Sequence, residues 1–448
     1  MARTMEEATA GKLAEALKLK LDDDQLTNCM RCGFCLPACP TFRETGLEAE
    51  SPRGRIALMK AVVDGLMRPD DAFEQQMNHC LACRACETAC PADVKYGRLI
   101  EQARDAIEDH TESHRWWVKS VRKLAFRKVF PDQGRLKLVG GALALYQKSG
   151  LQKLTRATGL LKVLPKHLQE MERVLPEASS KGVIERIGDT HPARGEKIAT
   201  VGLFRGCIMD VMFADTNVHT VDLLTAAGFE VVIPREQNCC GALLAHSGEM
   251  DGAREMAKRN IRAFQEAGVD YIVSNAGGCG ALLIEYDHLL HDDPEWRERA
   301  AWFAKRVIDV SELLVRHGRL PKFADASGGC RITYQDSCHL RNVMRQSDAP
   351  RKLMRSIEGV EFVEMREADR CCGSAGIYNI TQPEMAGQIL EHKMEHACAT
   401  SAHYLLTSNP GCLLQMRLGI DKHDRTGRMQ AVHIVDFLRE RMIEESPR

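Results

Sequence analysis

The chain has 448 residues, a formal net charge of -1, 44% hydrophobic and 27% charged residues. These values are typical of an ordinary globular protein with two or three domains, and they exclude a global attraction to nucleic acid. We expect neither a secretory signal nor a spanning helix, since no apolar segment of the required kind is visible. The chain is unusual in its 18 cysteines. In a reducing compartment so many thiols indicate bound metal rather than disulfides, which predicts a cytoplasmic metal-binding protein.

Two runs of cysteine near the N-terminus share one spacing, C-x2-C-x2-C-x3-C-P. The first run contains Cys29, Cys32, Cys35 and Cys39, and the second contains Cys80, Cys83, Cys86 and Cys90. Bacterial two-cluster ferredoxins have this pattern, and the last cysteine of each run binds the other cluster. Three thiols on one tight loop can occupy three corners of a cubane, while the fourth corner lies across the module. Paired structural zinc sites fit poorly, because zinc sites separate their thiol pairs by a longer loop.

The two runs therefore predict two [4Fe–4S] clusters with exchanged ligands. The first cluster would be held by Cys29, Cys32, Cys35 and Cys90, and the second by Cys80, Cys83, Cys86 and Cys39. Between the runs, Ser51 and Pro52 predict the start of a helix, as a capping residue followed by proline at the first helical position. Arg53 and Arg55 on that helix have two interpretations: they stabilise the anionic clusters, or they are solvated surface residues.

A basic segment follows the second run. Residues 111–175 contain 14 Lys or Arg and 4 Asp or Glu, interleaved with aromatic residues. The apolar spacing over residues 117–126 predicts an amphipathic helix. Such a helix suits an anionic membrane or an acidic partner, and it also suits a connector with a solvated basic face. Residues 176–196, rich in Gly, Pro and charge, predict a linker.

The C-terminal half contains an internal repeat. Strand-like runs precede Cys207, Cys239 and Cys279, and the same plan recurs before Cys338, Cys371 and Cys412, at offsets of 131, 132 and 133 residues. Three offsets so nearly equal indicate a true repeat. The predicted strands begin near Ile198, Phe229, Tyr271, Arg331, Val360 and Tyr404. Strands alternating with helices predict two parallel-sheet α/β units, whose strand ends would converge on one crevice.

Each repeat unit contains four cysteines at those strand ends. The first quartet is Cys207, Cys239, Cys240 and Cys279, and the second quartet is Cys338, Cys371, Cys372 and Cys412. Three interpretations remain open: a further iron–sulfur cluster in at least one unit, a zinc ion in one unit, or thiols without metal. His339 is either a ligand, a donor beside one, or a polar residue at a strand end. Cys330 and Cys398 fit no pattern and are expected to be small buried apolar residues.

The predicted fold class is α+β with several domains. A helical two-cluster ferredoxin-type domain is expected over residues 1–110 and a basic helical connector over 111–196. Two cysteine-rich units, each containing a Cys-Cys-Gly motif, are expected over 197–320 and 321–448. No G-x-G-x-x-G follows a strand, and Gly277-Gly-Cys-Gly280 does not fit that motif, so neither flavin nor NAD is expected on this chain.

Over nearly its whole length the sequence resembles the iron–sulfur subunits of glycolate oxidase. The resemblance is closest in Cys29-Met-Arg-Cys-Gly-Phe-Cys-Leu-Pro-Ala-Cys-Pro-Thr41, in the segment from Ser51 to Lys60, and in Cys371-Cys-Gly-Ser-Ala-Gly-Ile-Tyr378. It implies a non-flavin subunit, without catalytic residues of its own, in a complex that oxidises glycolate to glyoxylate. FAD-containing partner subunits would deliver electrons, and an acceptor such as quinone would receive them, with the chain cytoplasmic or peripheral on the inner face of the membrane.

Related families give the alternatives. The chain also resembles iron–sulfur subunits of lactate utilisation and of anaerobic glycerol-3-phosphate dehydrogenase, and its cysteine-rich units resemble those found in heterodisulfide reductase. In the last family a second cysteine follows the final one of each unit. Leu282 and Gln415 occupy those positions here. A noncubane double cluster that requires five thiolates, and disulfide-reductase catalysis with it, is therefore not expected.

Overall fold

The computed structural model describes residues 7–110, 116–324 and 329–443. The chain forms two compact units that interleave along the sequence. The first unit comprises Met1–Arg127, Gly241–Ala253 and Gly373–Ile389, and the second comprises Lys128–Cys240, Arg254–Cys372 and Leu390–Arg448. The chain is thus a mixed α and β protein. Its domain boundaries at residues 110, 196 and 320 stay predictions, and residues 1–6, 111–115, 325–328 and 444–448 of those domains lie outside the described part.

The first unit is built from helices. Their bounds are Glu7–Lys20, Asp23–Thr27, Pro40–Thr45, Pro52–Val63, Asp71–Asn78, Ala85–Thr88, Tyr96–His110, Trp116–Leu124, Ala242–His246 and Tyr378–Thr381, with a 3-10 turn at Glu48–Glu50. A π-helical turn at Ala125–Val129 follows Leu124. Leu17, Met59, Met77 and Leu99 are fully buried at the centre of its core. As predicted, Ser51 caps Pro52–Val63, its hydroxyl accepting from the Gly54 amide at 3.0 Å.

The second unit contains two sheets. The first sheet has the order β1-β3-β2-β4-β5 and the second has the order β7-β6-β8-β9. The strands are β1 Thr190–His191, β2 Ala199–Phe204, β3 Phe229–Val232, β4 Tyr271–Ser274, β5 Val307–Asp309, β6 Cys330–Tyr334, β7 Val360–Phe362, β8 Tyr404–Thr407 and β9 Gln430–His433. All neighbours pair in parallel except β1, which pairs antiparallel with β3. Apolar side chains of both sheets join one buried core.

Helices surround these sheets. Their bounds are Gln133–Lys148, Leu151–Ala157, Lys166–Arg173, Val183–Ile187, Ile208–Met212, Ala214–Ala226, Gly277–Ile284, Tyr286–Leu289, Arg297–Ala304, Val310–His317, Asp348–Arg355, Pro410–His423 and Ile434–Arg441. Short 3-10 and π turns lie at Leu160–Val163 and Leu340–Met344. Met250–Glu266 and Pro383–Ala399 belong partly to each unit. No helix within the described ranges is both long enough and apolar enough to cross a membrane.

The six predicted strands are present to within two residues at their ends. The predicted linker over 176–196 is wrong, because it contains the helical turn Val183–Ile187 and the edge strand β1. Val183 and Ile184 are buried against the first sheet's core. That apolar pair stabilises order in a stretch whose polar composition had predicted none. The helix predicted over 117–126 is present as Trp116–Leu124.

Candidate metal centres

The two N-terminal cysteine runs have the same backbone conformation. In the first run Arg31 (φ 54°) and Gly33 (φ 90°) flank the second cysteine in left-handed conformations. In the second run Ala82 (φ 51°) and Arg84 (φ 59°) do the same. Residues with a side chain rarely adopt this region, and they persist there only where the surroundings impose it. The repeated spacing therefore produces the same loop twice.

Three thiols of the first run and one of the second line a single cavity. Cys29, Cys32, Cys35 and Cys90 all contribute to its wall. The cavity encloses about 430 Å³, part of it open to solvent, and Cys86 and Arg53 also line it. These four thiols are the set that the sequence pattern had placed around the first cluster.

The other four thiols lie in a more buried environment. Cys39, Cys80, Cys83 and Cys86 are each 7–8% exposed. Burial raises the pKa of the Cys86 thiol well above its ordinary value, and Cys83, Cys80 and Cys39 add to the shift in that order of strength. Cys39 of the first run therefore lies within electrostatic reach of the second run. The two sets differ in exposure, since Cys32 is exposed and Cys29, Cys35 and Cys90 are half-buried.

Hydrogen-bond donors converge on the Cys80 sulfur. The Tyr96 hydroxyl donates to Cys80 Sγ at 3.6 Å, and the Ala82 amide donates to the same atom at 3.3 Å. Tyr96 is buried at the start of the helix Tyr96–His110. Donors to a thiolate stabilise its negative charge, so this position suits a sulfur that carries charge permanently.

Arg55 is fully buried in the first unit, so the interpretation of it as a solvated surface residue is wrong. Its Nη2 pairs with Glu50 Oε2 at 2.7 Å, and its Nε donates to the Gln76 carbonyl at 2.7 Å. Burial alone would lower the pKa of the Arg55 guanidinium, but Tyr96, Cys80, Cys39 and Glu50 outweigh it and raise that pKa overall. A permanent positive charge thus lies near the buried thiols.

Arg53 lies beside the more exposed set. Its Nε pairs with Glu48 Oε1 at 2.6 Å and its Nη1 donates to the Arg31 carbonyl at 3.0 Å. A Cβ on Gly33 would lie 2.7 Å from that Nη1, so the glycine leaves room for the guanidinium. Each thiol set therefore has one arginine from the helix Pro52–Val63 near it.

In the second unit each cysteine quartet comes together at the strand ends. Contacts between thiols link Cys207 with Cys239 and Cys239 and Cys279 with Cys240 in the first quartet, and Cys338 with Cys371 and Cys371 and Cys412 with Cys372 in the second. The hydrogen bond with Cys239 and then burial raise the pKa of Cys207 well above its ordinary value. The convergence expected for parallel strands is therefore observed in both repeats.

The two quartets differ in their polar neighbours. Beside the second quartet, His339 hydrogen-bonds to Cys338, and the Asn409 amide donates to Cys412 Sγ at 3.5 Å. The hydrogen bond with Cys371, followed by His339, lowers the pKa of Cys338 against the effect of burial. The repeat offsets place Ile208 and Ala276 at the equivalent positions of the first quartet. His339 is thus a hydrogen-bonding neighbour of a thiol rather than merely a polar strand-end residue.

Sequence reasoning missed Lys393. Its ammonium is buried and donates to the Glu367 carbonyl at 2.6 Å. Burial lowers the pKa of Lys393 to about 8, partly opposed by Cys372 and Cys371. The first repeat has Asn260 at the equivalent position, 133 residues earlier, where its amide donates to the Cys239 carbonyl at 3.0 Å. Aligning the repeat helices would have found this lysine, because the offset is the same as that of the last cysteines.

The donor sets suit iron–sulfur chemistry. All sixteen cysteines are free thiols, and thiolate is the ligand that iron–sulfur clusters require. In residues 7–110, 116–324 and 329–443, no three Cys, His, Asp or Glu side chains converge as ligands of a single metal ion do. In a four-iron cube each thiolate binds a different iron, so the sulfurs surround a larger group. Cys330 and Cys398 lie outside these sets and are half-buried rather than fully buried.

This arrangement defines the class of protein, an iron–sulfur protein with a two-cluster domain and a duplicated cysteine-rich domain. Residues 25–94 match the family model described as 4Fe-4S dicluster domain, and residues 201–284 and 332–417 both match the cysteine-rich domain. Residues 117–175 match the linker region of the glycolate oxidase iron-sulfur subunit. The chain belongs to the family of glycolate oxidase iron–sulfur subunits.

Relatives support the family over the full length. The chain is similar to the probable glycolate oxidase iron-sulfur subunit of Bacillus subtilis, at 50% identity over 96% of this chain and 97% of that protein. It is 28% identical to the glycolate oxidase iron-sulfur subunit of Escherichia coli, over 94% and 96%. It is 35% identical to lactate utilization protein A of Oceanobacillus iheyensis, over 53% of this chain and 96% of that protein. As a member of this family it is a subunit of a complex.

Proposed function

We propose that this chain is the electron-transfer subunit of a complex that oxidises a 2-hydroxy acid, with glycolate as the first candidate substrate. The observation that carries the proposal is the placement of Cys90, from the second run, with Cys29, Cys32 and Cys35 around one cavity. Runs that exchange their last thiol are the arrangement of a two-cluster electron carrier. The chain's own residues bind and tune the carriers, and the substrate reacts on another subunit.

The proposal assigns Cys29, Cys32, Cys35 and Cys90 to one [4Fe–4S] cluster and Cys80, Cys83, Cys86 and Cys39 to the other. The shared cavity supports the first set, and the electrostatic influence of Cys39 on Cys86 supports the second. Arg53 and Arg55 place positive charge beside the two sets, which favours the more anionic, reduced form of each cluster. The two quartets of the second unit are candidate ligands of a further iron–sulfur cluster or of zinc.

The proposal requires a flavin on a partner subunit. Oxidation of glycolate to glyoxylate releases two electrons and two protons, whereas a [4Fe–4S] cluster passes one electron at a time. A flavin can accept the pair and release single electrons, and this sequence lacks a dinucleotide-binding motif. FAD-containing partner subunits would therefore precede this chain in the relay. A quinone at the inner membrane surface would follow it as the acceptor.

Lactate is the second candidate substrate. The relatives named lactate utilization protein A share 32–35% identity over about half of this chain. A disulfide reductase is less well supported, because buried Leu282 and Gln415 occupy the positions where an additional thiolate would be needed.

Purification of the intact complex through a tag on this chain, under anaerobic conditions, tests the proposal. We expect about eight or more iron atoms per chain, a co-purifying flavoprotein, and reduction of the clusters by glycolate, observed by EPR spectroscopy. Cys90→Ser should lose about half of the iron of the two-cluster domain, and the matched variant Cys330→Ser should lose none. A colourless, iron-free chain contradicts the proposal, and so does oxidation of glycolate by the chain without its partners. Faster reduction by lactate than by glycolate would exchange the two candidate substrates.

A further inference from the structure

Exposed apolar side chains are concentrated in one part of the second unit. Among the described residues twenty large apolar side chains are exposed, and eight of these lie within residues 138–164: Leu138, Val139, Leu145, Leu151, Leu154, Leu160, Val163 and Leu164. Val163 is 83% exposed and Leu138 is 74% exposed. Single exposed apolar residues need no explanation, but a contiguous concentration of them marks an interaction surface.

The helix Gln133–Lys148 shows that this exposure is built in. Its inner face carries Leu136 and Gly140, which are buried. A Cβ on Gly140 would lie 2.5 Å from Val211 Cγ1 and 2.7 Å from the Ser179 carbonyl, so the backbone packs tightly there. Leu138 and Leu145, seven residues apart, recur on the exposed side. The helix is therefore fixed with an apolar stripe facing outward.

The charge of the same segment has one sign. Residues 133–169 contain seven Lys or Arg and no Asp or Glu. Lys148, Lys153, Lys162 and Lys166 are all exposed, and none of them forms an ion pair with the residues that the structure describes. Their positions alternate with Leu151, Leu154 and Val163. Ammonium groups and aliphatic side chains thus cover the surface together.

We infer that this basic apolar surface, residues 138–166, binds an anionic lipid bilayer. Aliphatic residues interleaved with lysine are typical of segments that lie in the membrane interface, where leucine and valine enter the acyl boundary and lysine meets anionic headgroups. Protein interfaces are instead enriched in aromatic residues, methionine and arginine and are depleted of lysine. The one aromatic residue of this surface, Tyr146, is half-buried and bonded internally to Thr155 Oγ1 at 2.9 Å.

This inference deepens the proposed function, on which it rests, because a quinone acceptor resides in the bilayer. The surface would hold the complex where its electron acceptor is found. Binding through several lysines and a shallow apolar layer is reversible and weakens with salt, since exposed charges are screened. Electron transfer within the complex does not require it, so the two ideas can be tested separately.

Sedimentation of the anaerobically prepared complex with lipid vesicles tests the inference. Binding is expected to vesicles of phosphatidylcholine with phosphatidylglycerol, and it should be at least about tenfold weaker to phosphatidylcholine alone. Lys162→Gln with Lys166→Gln, and separately Leu160→Ser with Val163→Ser, should each reduce binding by about tenfold or more. The matched controls are Lys12→Gln with Lys18→Gln and Leu19→Ser with Leu66→Ser, exposed residues of the first unit, which should leave binding unchanged.

Iron content and reduction of a soluble dye by glycolate should be equal in all four double variants, which separates membrane binding from the relay itself. Equal binding by the surface variants and the controls would overturn the inference, and so would absence of binding to anionic vesicles. Loss of the co-purifying flavoprotein from the surface variants would also overturn it, because the surface would then be a protein interface. Failure of dye reduction in every variant would instead contradict the proposed function.

Discussion

The Tyr96 hydroxyl donates to Cys80 Sγ at 3.6 Å within the first unit. Hydrogen bonds to cluster sulfurs stabilise the reduced state, which carries one more negative charge. We expect Tyr96→Phe to lower the reduction potential of the cluster assigned to Cys80, Cys83, Cys86 and Cys39. A hydrogen bond of about 1 kcal/mol corresponds to roughly 40 mV for one electron.

An EPR-monitored redox titration measures that potential. Tyr146→Phe removes a hydroxyl that bonds to Thr155, far along the sequence from either cysteine run, and it is the matched control. Tyr96→Phe should retain its full iron content, so that the change is one of potential and not of occupancy. An unchanged potential, with both clusters present, would show that the hydroxyl does not act on the cluster.

The exchanged ligand sets predict different losses for the two final cysteines. Cys90→Ser should weaken the cluster of the partly open cavity, since Cys90 lines that cavity with the first run. Cys39→Ser should weaken the buried cluster, because Cys39 acts on Cys86. EPR spectra of each reduced variant and iron analysis measure the losses, with Cys398→Ser as a control outside all the cysteine sets. Loss of the same cluster in both variants is incompatible with the exchange.

The buried pair of Arg55 and Glu50 should contribute strongly to stability. Arg55→Met leaves the Glu50 carboxylate buried at 4% side-chain exposure without its main partner. We expect a loss of about 3–5 kcal/mol, as for other buried pairs that lose one member. Arg53→Met breaks a pair whose side chains are 28% and 52% exposed, and should cost about 0–1 kcal/mol. Thermal denaturation of both holoproteins measures the difference, and similar Tm values would contradict the expectation.

His219 and Asp436 give the second unit a pH-dependent contact. The hydrogen bond from Asp436 at 2.8 Å raises the pKa of His219 against the effect of burial. A histidine with a raised folded-state pKa contributes stability that is fully present below its unfolded pKa of about 6.5, and this is lost as pH rises through the folded value. Asp436→Asn should therefore be destabilising at pH 5.5 and less so at pH 8.5.

Urea denaturation at both pH values measures the contribution of His219. The difference should stay below about 1 kcal/mol, because the two side chains are 30% and 22% exposed. In a His219→Gln background, Asp436→Asn should lose its pH dependence. A pH dependence that survives in this background would assign the effect to another titrating group.

Gly140 should be far less tolerant of substitution than its neighbour. A Cβ there would approach both a valine side chain and a backbone carbonyl closer than 3.0 Å, whereas a Cβ on Gly141 would lie 3.3 Å from Ser180 Cβ. We expect Gly140→Ala to cost about 1–3 kcal/mol through overpacking. Gly141→Ala should be near neutral or stabilising by up to about 1 kcal/mol, since alanine favours helix. Equal Tm values would mean that the helix Gln133–Lys148 packs less closely on Val211.

The sequence predicted the parts of the fold that have strong local patterns. Runs such as Tyr271–Ser274 are short, apolar and bounded by turn residues, and their strands agree with the structure. The strands β5 and β9 were missed, because three or four residues give too little alternation to separate strand from helix. The pairing of residues 183–184 with a distant core was likewise invisible locally, so the predicted linker was wrong.

The same distinction holds for the site. Spacing identified all sixteen cysteines, because cluster loops need thiols at fixed intervals. It could not show that Arg55 is buried, since a helix carries arginine equally well on either face. It also missed Lys393, which lies 21 residues after Cys372 and approaches it only through tertiary folding.

Cys32 is the one exposed thiol among the eight of the two runs. Oxygen and peroxide reach accessible sulfur before buried sulfur. Damage in air should therefore start at the loop of Cys32, while the deeper set around Cys80 survives longer. A preparation exposed briefly to air would then contain a half-damaged carrier, one that still holds iron yet has lost the outer end of its conducting path.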